Sequence, residues 1–344
     1  MDRSPHPRPI APAPATARLG RRAWLAAAAS TVWLPMSRPA RAQGTEAWPS
    51  RPLRVIVGYP AGGLADALAR AYGEALAARL GQPVLVENKP GAAGMLAGGE
   101  VARAAPDGHT LWLTLSGTLN QNRVLYRRLP YDPDRDFVHV AGFDPGPSVL
   151  AVPAAGPRSW AELVERARRE RQTFGNYAQG SLPHMMARQL ADRHGLQVDP
   201  VPYRGEAPMW TDLAGGQISM GVGSPLGLAP FLAGNRVRAL AVTTRRRAAS
   251  LPDVPTFDEL GFSAPVFTVQ GWIGLLTPAR TPAALVQRLS DAVQEAAAAP
   301  RVQAVHRTLG LADKPWPAAE FERLDRESRP WWIDLARELK LTLD

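Results

Sequence analysis

The chain has 344 residues, of which 45% are hydrophobic, and a formal net charge of +9. It contains no cysteine, which excludes disulfides, thiolate catalysis and a cysteine-linked lipid anchor. Roughly 300 residues would follow a removed leader, which is more than one core comfortably supports, so we expect two domains.

The N-terminus has the three parts of a cleavable signal peptide in the expected order. A basic segment ending in Arg21-Arg22 precedes an apolar stretch over 23–34, and Ala40-Arg41-Ala42 forms a small-x-small cleavage site. Pro35 ends the apolar stretch before it reaches the ~20 residues that a membrane span needs. We therefore predict a leader over 1–42, cleaved after Ala42, and a periplasmic product. The paired arginines favour the twin-arginine route, with the general secretory route as the alternative.

The leader carries most of the excess positive charge. Its removal takes away seven arginines and one aspartate, which leaves 33 basic and 30 acidic residues and a formal net charge of +3. This balance argues against nucleic-acid binding, and we interpret the remaining arginine clusters as solvated surface. We expect a monomer without cofactor or bound metal.

The rest of the chain alternates short apolar runs with longer helical patterns, which predicts an α/β protein with sheets covered on both faces. In the first half, strands are predicted over 53–59, 84–88, 110–115 and 149–152, and helices over 64–80, 96–104 and 160–171. In the second half, strands are predicted over 218–222, 239–242 and 272–276, and helices over 184–195, 281–298 and 317–339.

Two strand-like crossings are the candidate hinges between two lobes. One lies near 149–153, and the other near 269–275. We expect lobe 1 to be discontinuous, with residues 50–148 plus 272–344, and lobe 2 to comprise 149–271. A chain organised in this way encloses a cleft that can open and close.

The first candidate binding segment is YPAGGLAD over 59–66, which joins a strand to a helix. Its two glycines allow a tight turn that exposes backbone N–H groups beside the positive end of the helix dipole. Such a turn binds anions, including carboxylates, without a lysine. Asp66, in the first turn, would interact favourably with the helix dipole whether or not a ligand is bound. An ordinary strand-to-helix turn is the alternative interpretation.

One further polar segment, 116–122, follows a predicted strand. Ligands of open α/β sheets lie at the carboxyl ends of strands, so its hydroxyls and amides are placed to line a cleft. Another, 176–184, is a polar turn that leads into a helix. Ser181 is a plausible helix N-cap with Pro183 near the first helical position, which would make a second anion site facing the first. Turn formation alone, and a structural role for His184, are the alternatives.

Enzyme motifs are scarce in this sequence. No G-x-S-x-G motif surrounds Ser116, Ser181 or Ser224, no P-loop occurs, and the six histidines lack metal-ligand spacing. A secreted hydrolase that uses Ser181 and His184 in the same cleft is the alternative function. It would need a third carboxylate to orient His184, and the sequence does not place one.

From Pro52 to the C-terminus, the chain resembles the Bug family, the extracytoplasmic solute receptors of tripartite tricarboxylate transporters. The matching blocks, in family order, are RPLRVIVGYPAGGLADALAR, GQPVLVENKPGAAG, AAPDGHTL, YRRLPYDPDRDF, VPYRGEAP, DLAGGQI, RALAVTTRRRAASLPDVPTFDELG and WIGLLTPARTP. The resemblance implies a type II periplasmic-binding-protein-like fold with two lobes, mixed sheets, a central cleft and two hinge strands. It also implies a small organic carboxylate ligand, held by backbone N–H groups and bridging waters and presented to transporter subunits or a sensor protein.

Carried over position by position, the resemblance places ligand-binding residues on both lobes. These are Tyr59, Pro60, Ala61, Gly62, Gly63, Asp66, Ser116, Gly117, Thr118, Gln179, Gly180, Ser181, His184, Tyr203 and Ser224. Two departures from the family pattern fall on the cleft: a shorter loop before His184, and Val222-Gly223 where a polar pair often stands. A divergent paralogue with altered binding is therefore the alternative to an ordinary member.

Overall fold

The computed structural model describes residues 48–268, 271–311, 314–340 and 342–343, so the predicted leader lies outside the described residues. The chain from Ala47 onward forms one unit, which contains two β-sheets. No helix in the described ranges is both long enough and apolar enough to cross a membrane.

The first sheet is mixed and has six strands. They are β1 (Leu53–Val57), β2 (Val84–Asn88), β3 (Thr110–Leu115), β4 (Phe137–Phe143), β10 (Ile273–Pro278) and β11 (Trp316–Pro317). The order across the sheet is β11-β4-β10-β3-β1-β2. β1 pairs in parallel with β2 and β3, whereas β10 runs antiparallel to β3 and β4. The returning strand β10 therefore brings the last fifth of the chain back to this sheet.

The second sheet is also mixed and has five strands. They are β5 (Val149–Pro153), β6 (Gln172–Asn176), β7 (Val198–Pro202), β8 (Met220–Gly223) and β9 (Val237–Val242). Their order is β7-β6-β8-β5-β9, with β6 parallel to β7 and β8, and β5 antiparallel to β8 and β9. β7 contains Pro200 and Pro202, which donate no backbone hydrogen bond, and its edge position tolerates them.

Eleven helices connect and cover the strands that the structure describes. They are α1 (Leu64–Leu80), α2 (Met95–Ala102), α3 (Asn122–Leu125), α4 (Trp160–Arg169), α5 (Leu182–His194), α6 (Glu206–Ala214), α7 (Pro225–Ala233), α8 (Pro265–Thr268), α9 (Ala283–Ala296), α10 (Pro300–Leu309) and α11 (Ala318–Glu338). A π-helical turn, Gly117–Gln121, precedes α3.

Local sequence explains several helix ends. Ser159 caps α4, because its Oγ accepts a hydrogen bond from the Glu162 N–H at 3.2 Å, while the Glu162 side chain accepts one from the Arg158 N–H at 2.8 Å. α1 ends at Gly81, whose φ of 70° is the left-handed conformation that glycine adopts most easily. These signals explain why the predicted boundaries of α1 and the start of α4 agree with the structure.

The C-terminal helix α11 contacts the apolar cores of both lobes. Near its start, Phe321 packs against Trp272 with ring centroids 4.9 Å apart, within the core on the first sheet. Near its end, Trp332 and Leu335 belong to the core built around the second sheet. Sheet membership changes between β4 and β5 and again between β9 and β10, while the lobe boundaries stay predictions. Part of the second hinge, Val269 and Gln270, lies outside the described residues.

Candidate functional site

A cleft lies at the strand ends of the two sheets and holds about 870 Å³ of space up to its open mouth. A narrower recess of about 410 Å³ continues it, and Tyr59, Ser116 and Tyr177 line both parts. The lining comes from both lobes, because Tyr59 and Ser116 follow strands of the first sheet and Tyr177 follows β6 of the second. A ligand of modest size in this cleft would contact both lobes at once.

Four helices begin at the cleft wall. The lining includes Leu64 of α1, Leu182 of α5, Glu206 of α6, and Ser224, which is the N-cap of α7. The first N–H groups of a helix have no acceptor within that helix, and the dipole makes this end positive. The cleft therefore concentrates positive partial charge contributed by both lobes.

The first predicted segment lies at the cleft, and Tyr59 connects it to the end of β3. Its hydroxyl lies 2.6 Å from Thr118 Oγ1, which donates its own hydrogen to the Ala93 carbonyl at 2.9 Å. The Tyr59 hydroxyl must therefore be the donor in the bond to Thr118. Burial raises the pKa of Tyr59 to about 12, which keeps this hydroxyl protonated at neutral pH. Pro60, Ala61 and Gly63 line the cleft beside it.

Asp66 and Gly62 do not belong to this lining, and they stabilise the turn. The Asp66 carboxylate accepts a hydrogen bond from the Gly62 N–H at 2.9 Å and contacts the Arg70 guanidinium at 2.9 Å. Burial alone would raise the pKa of Asp66, but the hydrogen bonds from Arg70 and Gly62 outweigh it and lower the pKa. Asp66 therefore preserves the shape of the loop.

The narrower recess contains the other predicted segments. Gly117 and Thr118 line it from the first lobe, and Gln179, Gly180 and Ser181 line it from the second. Ser181 occupies the N-cap position of α5, as predicted, but its hydroxyl makes no capping hydrogen bond. Although Ser181 is only 7% exposed, its Oγ has no partner among the residues that the structure describes.

Trp332, on α11, lines both parts of the cleft and was not predicted as a site residue. It is 2% exposed, and its indole N–H, like the Ser181 hydroxyl, is buried without an acceptor in the described ranges. A buried donor without a partner is costly, so both donors favour a ligand or a water that supplies acceptor oxygens.

His184 and Tyr203 have partners away from the lining. His184 Nδ1 accepts a hydrogen bond from the Gly180 N–H at 2.9 Å, which fastens the recess loop to α5. Burial, with the nearby charge of Arg188, lowers the pKa of His184 to about 4, so the ring is neutral at pH 7. The Tyr203 hydroxyl donates to Asp212 at 2.8 Å. These two residues, like Gly62 and Asp66, are absent from the cleft lining. Ligand contact by all four therefore stays a prediction.

A buried carboxylate supports the floor of the cleft from behind. Asp325 accepts hydrogen bonds from Asn120 at 2.8 Å, Trp272 at 3.1 Å and Arg329 at 2.8 Å, and His139 lies 3.3 Å away. Burial would raise the pKa of Asp325, but its hydrogen bonds with His139, Asn120 and Arg329 hold it at about 2. Asp325 thereby ties α11 to Trp272, which lines the cleft.

Sequence reasoning missed several lining residues besides Trp332, among them Trp272 and Glu206. Tyr177 lies in the predicted segment 176–184 but was not named as a site residue. Glu206 is the one charged side chain among the described lining residues. The sequence did carry a signal for it, because Glu206 stands in the VPYRGEAP block three residues after the carried-over Tyr203. Within the described ranges, no group of three or more histidine, aspartate or glutamate side chains is placed to hold a metal ion.

The chain is similar to known proteins over most of its length. A family model described as "Tripartite tricarboxylate transporter family receptor" matches residues 68–328. The "UPF0065 protein in tcbD-tcbE intergenic region" of Pseudomonas sp. (strain P51) is 37% identical, over 95% of this chain and 97% of its own length. The structure of the periplasmic binding protein BugD is 28% identical with a TM-score of 0.79, covering 86% of this chain and 99% of BugD. R. palustris Rpa4515, solved with adipate, is 30% identical with a TM-score of 0.79, and the match covers 84% of this chain and 97% of Rpa4515.

Proposed function

We infer that this chain, a solute-binding receptor that belongs to the tripartite tricarboxylate transporter (Bug) receptor family, holds a small organic carboxylate between its lobes. The observation that carries the inference is the meeting of the α1 and α5 N-termini, from opposite lobes, at one cleft. The unpaired donors of Ser181 and Trp332 add to it, since a carboxylate supplies only acceptors. A relative solved with adipate provides independent support.

The binding energy would come from exchanging the carboxylate's hydration for charge-assisted hydrogen bonds. Each such bond contributes about 1.5–3 kcal/mol. Because the donors belong to both lobes, the ligand would stabilise the closed arrangement over the open one and so shift the population towards it. The hinge strands near 149–153 and 269–275 would carry this motion, with lobe 1 over 50–148 plus 272–344 and lobe 2 over 149–271.

The proposed role is to bind the ligand and release it chemically unchanged. The alternative hydrolase needs Ser181 Oγ to hydrogen-bond to a base. His184 Nδ1 already accepts from the Gly180 N–H, so in the neutral ring Nε2 carries the hydrogen and neither nitrogen is free to accept the serine proton. Mass spectrometry of ligand recovered after prolonged incubation should show an unchanged compound. A hydrolysed product would instead support the enzyme.

We also propose a periplasmic monomer that delivers its ligand to membrane transporter subunits or to a sensor protein. The relative BugD is a periplasmic binding protein, which supports this location. Pull-down of membrane proteins with and without ligand separates the two partners, because a transporter and a sensor differ in the proteins recovered. Size-exclusion chromatography with light scattering tests the monomer.

The experiment that tests the function is a thermal-shift screen of the protein without its leader. The panel contains mono-, di- and tricarboxylates and amino acids, and titration calorimetry follows for each compound that raises the melting temperature. At ligand concentrations 100 times the Kd, binding should add about 2.7 kcal/mol to the free energy of unfolding. If no carboxylate stabilises the folded protein, carboxylate capture is ruled out.

A further inference from the structure

Glu206 places a negative charge in a cleft whose other features attract anions. It is the first residue of α6, lines the cleft and is partly exposed to it. No lysine, arginine or histidine accompanies it among the described lining residues. Nor does any ion pair within the described ranges neutralise Glu206. A ligand with two or more carboxylates would therefore meet this charge without a compensating cation.

The hydrogen bonds around Glu206 suit an ionised carboxylate. Oε1 accepts from the Ser224 N–H at 3.1 Å, and Oε2 lies 2.5 Å from Ser224 Oγ. Ser224 Oγ also caps α7 by accepting from the Gly227 N–H at 3.2 Å, so its own hydrogen is available for Glu206. An oxygen–oxygen distance of 2.5 Å is typical of a hydroxyl that donates to a carboxylate ion.

The backbone around Glu206 leaves room for its carboxyl group. A Cβ added at Gly223 would lie 3.1 Å from Glu206 Cδ, and one added at Gly227 would lie 2.8 Å from Oε2. Gly223 belongs to the Val222-Gly223 pair, one of the departures from the family pattern found in the sequence. The departure therefore coincides with the space that the acid occupies.

Glu206 also changes how many helix N-termini are available to a ligand. Its carboxylate lies in the first turn of α6 and bonds to the N-cap residue of α7, so it already neutralises both of these ends. The N-termini of α1 and α5 remain for an anionic group of the ligand. A carboxylate has about four lone-pair positions; Ser224 uses two and the Trp210 indole N–H a third, so about one remains for a donor on the ligand.

We propose that Glu206 selects ligands that carry one carboxylate together with a hydrogen-bond-donating nitrogen, such as an ammonium or amide group. The inference rests on the proposed carboxylate function and narrows its ligand class. The ligand nitrogen donates to Glu206 while its carboxylate binds at α1 and α5. Burial raises the pKa of Glu206, and a cationic partner would offset that cost by favouring the ionised form.

The test compares compounds that share a carbon skeleton and differ at one end. For the four-carbon skeleton the probes are succinate, succinamate and 4-aminobutyrate, and for the six-carbon skeleton they are adipate, its monoamide and 6-aminohexanoate. Titration calorimetry at pH 7, in two buffers with different ionisation enthalpies, measures the affinity and any proton uptake. For each carbon skeleton that binds, we expect the tighter-binding of its two nitrogen-bearing compounds to bind at least tenfold more tightly than the dicarboxylate of the same skeleton.

The variant Glu206→Gln keeps the shape of the side chain and removes its charge. Affinity for the ammonium compound should fall at least tenfold, and affinity for the matched dicarboxylate should rise. Glu165→Gln, at a side chain on α4 that is 63% exposed, is the matched control and should change neither. Melting curves verify that both variants fold.

Two results would overturn the inference and leave carboxylate capture standing. One is tighter binding of a dicarboxylate by the unaltered protein with uptake of one proton, which would mean that a neutral Glu206 donates to the ligand. The other is an unchanged ratio of affinities in Glu206→Gln. If no compound of either skeleton, nor any in the wider carboxylate screen, binds the unaltered protein, the proposed function fails and this inference fails with it.

Discussion

Pro60 and Gly205 come from opposite lobes and lie against each other in the lining of the cleft. A Cβ added at Gly205 would lie 3.0 Å from the Pro60 ring, which is closer than most carbon contacts allow. Gly205 also has a φ of 107°, a conformation that side-chain-bearing residues rarely adopt. The close approach of the two lobes at this point thus requires a glycine.

Gly205→Ala should weaken ligand binding about tenfold, or ~1.4 kcal/mol, because the added methyl group opposes closure. Titration calorimetry with a ligand found by the screen measures the effect. Gly216→Ala is the control, since Gly216 also has positive φ (72°) but has nothing within 4 Å of an added Cβ. Both variants should lose stability. Equal losses of affinity would mean that the cross-lobe contact does not govern closure.

Leu64→Pro should remove one backbone donor from the anion site while α1 is retained. Proline is tolerated at the first position of a helix, and the preceding Gly63 has the extended ψ of 179° that proline favours. Loss of one charge-assisted hydrogen bond should lower carboxylate affinity about tenfold to a hundredfold. Leu64→Ala keeps the N–H and loses the same side chain, so it should bind more tightly than Leu64→Pro. Equal affinities would show that this N–H does not contact the ligand.

Asp325→Asn should lower the free energy of unfolding by about 2 kcal/mol, because Arg329 loses its buried charged partner. Denaturant unfolding measures the change. Asp334→Asn, on the same helix at a side chain that is 70% exposed, should change stability by less than about 0.5 kcal/mol. Similar effects for both variants would contradict the importance of the buried interaction.

Asp325 also predicts a pH dependence of stability. Its pKa in the folded protein, about 2, lies below the ordinary value of 3.8, so the folded state binds fewer protons than the unfolded state. The contribution is complete above about pH 4 and is lost as the pH falls towards about 2. Unfolding measured across this range should show a smaller acid loss for Asp325→Asn. Parallel curves for the two proteins would refute the assignment.

Replacement of Arg21-Arg22 by Lys-Lys should abolish export if the leader uses the twin-arginine route. Cell fractionation and immunoblotting measure the exported fraction, and N-terminal sequencing of the mature protein should begin at Gln43. Export that continues unchanged would indicate the general secretory route and leave the periplasmic location as proposed.

Much of the α/β framework could be predicted because its segments carry local signals. The alternating pattern predicted β2, β3 and α1 at the residues where they occur. Proline obscured other elements: α7 has Pro225 in its first turn and Pro230 inside, and the edge strand β7 contains two prolines. Such residues are tolerated by position within the fold, and a linear pattern does not reveal that position.

The cleft was only partly predictable for a related reason. The turn at 59–63 indicates anion binding through its glycines and the helix that follows. Trp332 lies on a helix more than 140 residues after the Ser181 loop, and only the folded chain brings it to the cleft. Glu206 lies in a block that was recognised, but its carboxyl group could not be placed in the lining before the positions of Ser224 and Gly223 were known.

The C-terminal helix connects the lobes independently of the two hinge strands. Its contacts at Phe321 and Trp332 lie on either side of Pro330, which interrupts the hydrogen bonding of α11. Because a helix bends most readily where proline removes a backbone hydrogen bond, rotation between the lobes would be accommodated there. Opening the cleft would therefore bend three chain segments, the two hinge strands and α11. The third of these also carries Trp332, which lines the binding site.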